Sequence, residues 1–537
     1  MTVRPALRDA AMRWVADDPD PETRVELQRV LAAALAGDQA AATDLADRMA
    51  GPLQFGTAGL RGPVRAGPNG MNVAVVRRAT AGLAAWLRAG GHAGARVVVG
   101  RDARRGSEAF AGAAAGVLAG AGFAVQVLPT PLPTPLLAFA VRELDAVAGV
   151  QITASHNPPA DNGYKVYLGV DPHQRGAQLA APADRQIEAA IAAAPPAVSI
   201  PVGGQAAVVD VGEAYLDRVA RLPRGPARPL RVALTPLHGV GGETAVLALR
   251  RAGYTDVHVV TSQAAADPAF PTVTFPNPEE PGAADALLEL AARVGADLAI
   301  ALDPDADRCA LGVPLAAGWR MLSGDETGVL LGDHLLRAGG HRDPLVATTV
   351  VSSSMLRSVA ASYGARFAET LTGFKWIVRA GPGLVYGYEE ALGYCVDPDV
   401  VRDKDGIATA VLACDLAGTL KAVGQGLTDR LDELAVAHGV HRTEGLSLRL
   451  APAESDAVVA RLRDAPPSGW AVDRPAADVV VMRRGSERAV VRPSGTEPKL
   501  KAYLQVVEPV EADLAAARAY ADDRMHRLRA EVTALLE

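Results

Sequence analysis

Two short segments carry most of the reactive side chains of this chain. In QITASHNPPADNGYKVY, residues 151–167, an apolar run stops at a polar loop presenting the hydroxyl of Ser155, the imidazole of His156 and the amide of Asn157. Pro158 and Pro159 stiffen the far side of that loop. Asn162-Gly163 favours a tight turn that returns the chain to a β-like run bearing Lys165, so an ammonium can approach the serine loop. A converging hydroxyl, imidazole and ammonium are the groups of nucleophilic and acid–base chemistry. Taken alone, Ser-His is equally an ordinary turn or helix cap.

The second segment is ADLAIALDPDADRCA, residues 296–310, where an apolar run ends in Asp303, Asp305 and Asp307 with Arg308 directly after. Carboxylates this close repel one another unless a cation neutralises them, and all-oxygen donors suit Mg²⁺. A calcium EF-hand loop needs Gly at its sixth position and Glu at its twelfth, where this chain has Arg308 and Pro314. A solvated acidic turn is the plain alternative.

The remaining groups are weaker or more distant. TLTGFKW, residues 370–376, and VYGYEEALGYCVD, residues 385–397, place Thr372, Gly373, Lys375, Glu389 and Glu390 after apolar runs, and paired carboxylates there can accept hydrogen bonds from sugar hydroxyls. RDKDGI, residues 402–407, sets Lys404 between two aspartates that keep it charged. AVVRPSGTEPKLKAY, residues 489–503, gathers Arg492, Ser494, Gly495, Thr496 and Lys499 in one loop, where inward backbone N–H groups, hydroxyls and two cations form a phosphate clamp. QFGTAGLRG, residues 54–62, repeats the pattern with Thr57 and Arg61.

Three segments that must position these loops share one order of apolar run, loop, helix-like stretch and second apolar run: 95–131, 230–262 and 345–373. Alternation of this kind predicts βαβ-type units in an α/β fold with helices on both sheet faces. At 537 residues several cores are expected. Pro- and Gly-rich connectors near 195–204, 312–319 and 424–430 place seams that give domains 1–204, with an N-terminal helical extension, 205–315, 316–432 and 433–537. The first three are similar α/β units and the last is a small α+β unit.

Composition narrows the function class. A net charge of −7 without a basic block argues against nucleic acid, and no run spans a bilayer without Arg, Asp or Gly interrupting it. The start, MTVRPALRDAAMRWVADDPDPET, lacks the apolar core of an export signal, and Cys309, Cys395 and Cys414 have neither pairing nor metal spacing. A cytoplasmic location and a small partner are the expectation. Only six of the 54 cationic residues are lysine, Lys165, Lys375, Lys404, Lys421, Lys499 and Lys501, and five fall inside or beside the motifs above, where a compact ammonium suits.

In that order FGTAGLRG, TASHNP with DNGYK, DPDADR, TGFK, GYEEALG, KDGI and RPSGTEPK span residues 54–501 and resemble the α-D-phosphohexomutase superfamily. The spacing is similar to the branch with phosphoglucomutase, phosphomannomutase and phosphopentomutase-like enzymes. The resemblance implies a heart-shaped four-domain architecture with mixed sheets. It also implies a phosphoserine at Ser155 and Mg²⁺ held by Asp303, Asp305, Asp307 and the Ser155 phosphate oxygen. Arg61 and Arg308 would stabilise the transferring charge, with His156, Lys165 and Lys404 as acid–base candidates. Sugar contacts would come from Thr372, Gly373, Lys375, Glu389 and Glu390, and phosphate contacts from Arg492, Ser494, Gly495, Thr496 and Lys499. The implied reaction interconverts hexose 1- and 6-phosphates of glucose or mannose, with the 1,6-bisphosphate as intermediate and activator, in a monomer or homodimer.

The sugar loop departs from the Glu-x-Ser-Gly-His pattern of many members: Glu389-Glu390-Ala391-Leu392-Gly393-Tyr394 lacks the serine and the histidine. A pentose 1- to 5-phosphate mutase is therefore the alternative. A silent phosphosugar-binding protein and an enzyme phosphorylated on Asp303 are readings from other classes.

Overall fold

The computed structural model describes residues 3–56, 59–225, 229–493 and 499–537. Each of the three sequence segments folds as strand, helix and parallel strand. Arg96–Arg101 and Ala124–Val127 flank the helix Ser107–Gly120, Arg231–Thr235 and Asp256–Val259 flank Gly242–Arg251, and Leu345–Thr349 and Arg366–Thr370 flank Met355–Ser362. The apolar runs supply aliphatic residues buried on both sheet faces, as in Leu298–Leu302, where all five residues are buried.

All three sheets are mixed. The first runs Leu60–Pro63, Asp161–Leu168, Ala148–Ile152, Arg96–Arg101, Ala124–Val127, Ala207–Val208, and its antiparallel members turn back the strand bearing Lys165 beside the one leading to Ser155. The second runs Gly318–Met321, Cys309–Leu315, Leu298–Leu302, Arg231–Thr235, Asp256–Val259, and the third Arg366–Thr370, Leu345–Thr349, Leu384–Glu389, Gly393–Cys395. The fourth is wholly antiparallel, Val440–Arg449, Lys499–Glu508, Glu487–Pro493, Val479–Arg484, Ala471–Ala476, and carries the helices Pro452–Asp464 and Leu514–Leu536. Among the described residues no helix is long and apolar enough to cross a membrane.

The sheets do not stop at the expected seams. Ala207–Val208 extends the first sheet past 204. The Pro- and Gly-rich stretch near 315 closes a hairpin, with Leu315 opposite Gly318, so the second sheet continues to Met321. The seam expected at 432 lies inside the helix Leu427–His438, which Arg430 ties to Asp333 of the third unit at 2.8 Å. Turn residues look the same in a hairpin as in a linker, so composition does not say whether a sheet continues past them.

Separate cores were expected, but one apolar cluster runs through the first three units, from Val98 and Phe139 through Leu302 and Tyr388 to Leu434. At its centre the helix Gly406–Lys421 is buried on nearly every face. The fourth unit has its own core, around Trp470, Met482, Leu504 and Leu528. Strands Ala148–Ile152 and Leu298–Leu302 both end at the junction of the first two units, and the loops after them face each other there.

Candidate active site

The serine loop comes directly after strand Ala148–Ile152. Ser155 is 1% exposed and adopts a left-handed backbone, φ 53°, with its N–H held by Thr153 Oγ1 at 2.9 Å. A non-glycine residue in that region costs about 1 kcal/mol or more, and such strain concentrates where a side chain must be aimed. Ser155 Oγ donates to Asp303 Oδ2 at 2.7 Å and lies 3.2 Å from His156 Nδ1.

The aspartates come after strand Leu298–Leu302 and are buried, with one carboxylate oxygen from each within 4.8 Å of the others. Lys165 Nζ reaches Asp305 Oδ2 at 2.7 Å and Asp307 Oδ2 at 2.9 Å. Lys165, expected to approach the serine loop, meets the carboxylates of the facing unit in the same cluster that Ser155 contacts. Thr134 Oγ1 donates to Asp305 Oδ2 at 2.5 Å, and Lys404 Nζ lies 3.3 Å from Asp307 Oδ2 over the ring of Phe374. Burial would raise Asp305, but the charge and hydrogen bond of Lys165 hold it well below the carboxylate range. Burial, reinforced by the charges of Asp305 and Asp307, pushes Asp303 up. Asp305 Oδ1 and Asp307 Oδ1 are buried without a hydrogen-bond partner. Such orphaned acceptors, beside three hard oxygen donors, fit a divalent cation.

Two arginines close the far side. The Arg308 N–H donates to Asp303 Oδ1 at 3.0 Å; its guanidinium lies 3.3 Å from Glu389 Oε1 and donates to the Ala391 carbonyl. Arg61, on strand Leu60–Pro63, donates to Asn157 Oδ1 at 2.9 Å. Burial and the neighbouring Arg308 and Arg61 charges hold His156 well below the ordinary imidazole range, so it is neutral at pH 7 and able to accept a proton from a hydroxyl. Burial lowers Lys404, but Asp307, Asp403 and Glu389 lift it above the ordinary lysine value, which makes it a fixed charge.

The remaining candidates separate. Glu390 accepts from Ser352 Oγ at 2.9 Å and Thr349 Oγ1 at 3.1 Å, leaving Glu389 as the carboxylate beside Arg308. Lys375, after Thr372 and the turn at Gly373, φ 107°, does not join the cluster; its Nζ lies 3.9 Å from Asp184 of the first unit. Arg492 and Lys499 stand at the ends of adjacent strands of the fourth sheet, while Ser494, Gly495 and Thr496, like Thr57, lie outside the described residues. Sequence reasoning missed Thr134, Arg104 and Glu279. Arg104 donates to the carbonyl of Ser155, and burial raises Glu279 to about 7 beside Arg308. Asp102-Ala103-Arg104 directly after an apolar strand was an available signal, masked by the many arginines of this chain.

This geometry agrees with comparisons to known proteins. Residues 52–197, 213–315 and 323–436 match the α/β/α domains I, II and III of phosphoglucomutase/phosphomannomutase. A Haemophilus influenzae protein named "Probable phosphomannomutase" is 41% identical over 464 residues, covering 83% of this chain and 95% of that one. A Schizosaccharomyces pombe "Probable phosphoribomutase" is 33% identical over 465 residues, 82% of this chain and 78% of that one. A solved structure from Thermus thermophilus, assigned as a phosphomannomutase, superimposes with a TM-score of 0.69 at 26% identity, over 89% of this chain and 99% of that one. Three matched domains in order, around a serine loop that meets an aspartate triad, show that the chain belongs to the phosphoglucomutase/phosphomannomutase family of phosphosugar mutases, in the α-D-phosphohexomutase superfamily.

Proposed function

We propose that this chain interconverts hexose 1-phosphate and hexose 6-phosphate, of glucose, mannose or both, through a phosphoserine at Ser155 and a hexose 1,6-bisphosphate. The observation that carries the reading is the buried Ser155 Oγ at 2.7 Å from Asp303 Oδ2, with Asp305 and Asp307 alongside. Asp303, Asp305 and Asp307, with an oxygen of the Ser155 phosphate, would hold Mg²⁺, which when bound supplies positive charge for the transferring phosphoryl group.

In the forward step the bond from Ser155 Oγ to phosphorus breaks, and a bond from the free sugar hydroxyl to phosphorus forms. Neutral His156 accepts the hydroxyl proton, and Arg308 and Arg61 stabilise charge on the equatorial oxygens. His156 passes that proton to the departing Ser155 Oγ, the bisphosphate reorients, and Ser155 Oγ returns the proton to His156 as it takes the phosphoryl group from the other end; the departing sugar oxygen then recovers it. Lys165, beside Asp305 and Asp307, and Lys404, beside Asp307, keep those two carboxylates ionised. Arg492 and Lys499, with Ser494, Gly495 and Thr496, would grip the phosphate that does not react.

A second reading, a ribose or deoxyribose 1- to 5-phosphate mutase with the same steps, has its own support. Ala391 and Leu392 offer no polar side chain and Glu390 is occupied by Thr349 and Ser352, so hydroxyl recognition falls to Glu389. The match to a relative named as a phosphoribomutase points the same way. Turnover of glucose, mannose and ribose 1-phosphates with Mg²⁺ and sugar bisphosphate decides between them; ribose fastest by far would sink the hexose reading. Ser155→Ala should abolish turnover, and acid-stable phosphate should be found on the wild-type 153–158 loop. Hydroxylamine-labile phosphate on Asp303 would overturn the phosphoserine.

A further inference from the structure

Strand Arg96–Arg101 ends in Asp102-Ala103-Arg104, and Arg104 is only 4% exposed. Its guanidinium is spent on the backbone of the serine loop. Nη2 donates to the carbonyls of Ser155 at 2.6 Å and Asn157 at 2.5 Å, and Nη1 to those of Pro158 at 2.8 Å and Asp161 at 3.0 Å. Four carbonyl dipoles turned toward one point repel each other unless a cation with divergent donors sits among them. That arrangement surrounds the left-handed Ser155, which has no glycine to make the turn easy.

Arg104 is itself held. Asp102 Oδ1 accepts from the Arg104 backbone N–H at 2.9 Å and from Ser107 Oγ at 2.6 Å, and Asp102 Oδ2 lies 3.6 Å from Arg104 Nε. The guanidinium also lies 5.0 Å from the ring centroid of Phe270, a residue of the unit that carries the aspartates. One side chain thus meets both halves of the centre, yet makes no hydrogen bond to a side chain of the triad.

We propose that Arg104 is the positioning residue of this enzyme: it gathers the serine-loop carbonyls on one side, rests on Phe270 on the other, and so sets the register of Ser155 Oγ against Asp303. The role comes from the shape of the guanidinium. A lysine ammonium is a single point charge and cannot serve carbonyls in two directions while stacking on a ring. The proposal rests on Ser155 being the phosphoryl carrier, and its test separates the two.

Arg104→Lys and Arg104→Gly are compared with wild type, using Mg²⁺, glucose 1-phosphate and glucose 1,6-bisphosphate. A misplaced reacting oxygen predicts kcat lower by about 100-fold with KM for the monophosphate within about threefold. Millimolar guanidinium, but not ammonium, should restore part of the lost kcat to Arg104→Gly. Amide hydrogen exchange should rise in residues 153–163 while strands Arg96–Arg101 and Ala148–Ile152 stay protected. An Arg104→Lys enzyme with kcat within threefold of wild type overturns the proposal. So does exchange that rises equally in both strands without guanidinium rescue. If the wild-type loop carries no phosphate, the mutase mechanism falls, and the exchange pattern of the loop with its response to guanidinium still decides the role of Arg104.

Discussion

The serine–aspartate junction and the junction of the fourth unit with the third are built differently. At the first, Ser155, Lys165, Thr134 and the aspartates are all about 1% exposed or less, and the surrounding apolar cluster is continuous across three units. At the second, the apolar contact is divided between two small patches, Val350 and Val351 against Val479, Val481 and Val490, and Ala435 with Val440 against Ala517 and Ala521. Polar bridges add to them, among them Arg488 to Glu369 and to the Ser352 carbonyl, Thr443 Oγ1 to Asp325 Oδ2 at 3.0 Å, and Gln505 Nε2 to Ser354 Oγ at 2.6 Å. In the mechanism proposed above, phosphoryl transfer would require fixed geometry where bonds change, whereas a bisphosphate that reorients would require a grip that can be made again. The contrast predicts that changes at the first junction act on kcat and changes at the second act on KM.

The largest expected effect is at the triad. Asp305→Ala should lower kcat by at least about 100-fold, and a chelator should do the same to wild type reversibly, with Mg²⁺ restoring turnover. Retained activity after thorough chelation would break the metal assignment. Next, Arg492→Gln should raise KM for the monophosphate by about 10-fold or more, the worth of a charge-assisted contact, with kcat changed little. A fall in kcat at constant KM would place Arg492 in the chemical step and erase the contrast.

Arg488 is 6% exposed and its neighbour Glu369 is partly buried, so Arg488→Gln takes from that carboxylate the most buried of three arginine partners, the others being Arg357 and Arg483. The fourth unit should lose about 2 kcal/mol of docking stability, read by denaturant unfolding, with KM rising about threefold. The smallest effect is a pH dependence. Asp405 caps the helix Gly406–Lys421 at Ala408 N and accepts from Tyr215 Oη at 2.8 Å; burial raises it from 3.8 to about 7. The folded state therefore binds the extra proton between about pH 4 and pH 7, so this group's contribution to stability falls as pH rises through that window. Asp405→Asn, which can still cap, should flatten that slope in thermal melts; an unchanged slope refutes the assignment.

Much of the site was legible because its chemistry is local. Asp303, Asp305 and Asp307 sit within five residues and cannot avoid one another, so a cluster that could hold a cation was readable from their spacing. The three strand–helix–strand segments were equally readable, since their apolar runs and Gly breaks alternate regularly. The seams were not. A turn such as 315–318 is the same in a hairpin as in a linker, and what distinguishes them is whether another strand lies alongside. Lys375 shows the same limit: TGFK places it among the motif residues, yet the fold turns its ammonium toward Asp184.

The sequence by itself determined which reactive groups this protein carries: a serine in a stiffened loop, an aspartate triad, a few lysines among many arginines, and a Ser-Gly-Thr stretch flanked by Arg492 and Lys499 near the end. Only the tertiary structure decided which of them meet. Lys165 lies 140 residues from Asp305 along the chain and at hydrogen-bond distance in space. Arg104 reaches across 51 residues to the Ser155 carbonyl. Pairings of that kind depend on how separate sheets pack their strand ends together, and hydrophobic burial sets that packing without regard to the polar residues it brings face to face.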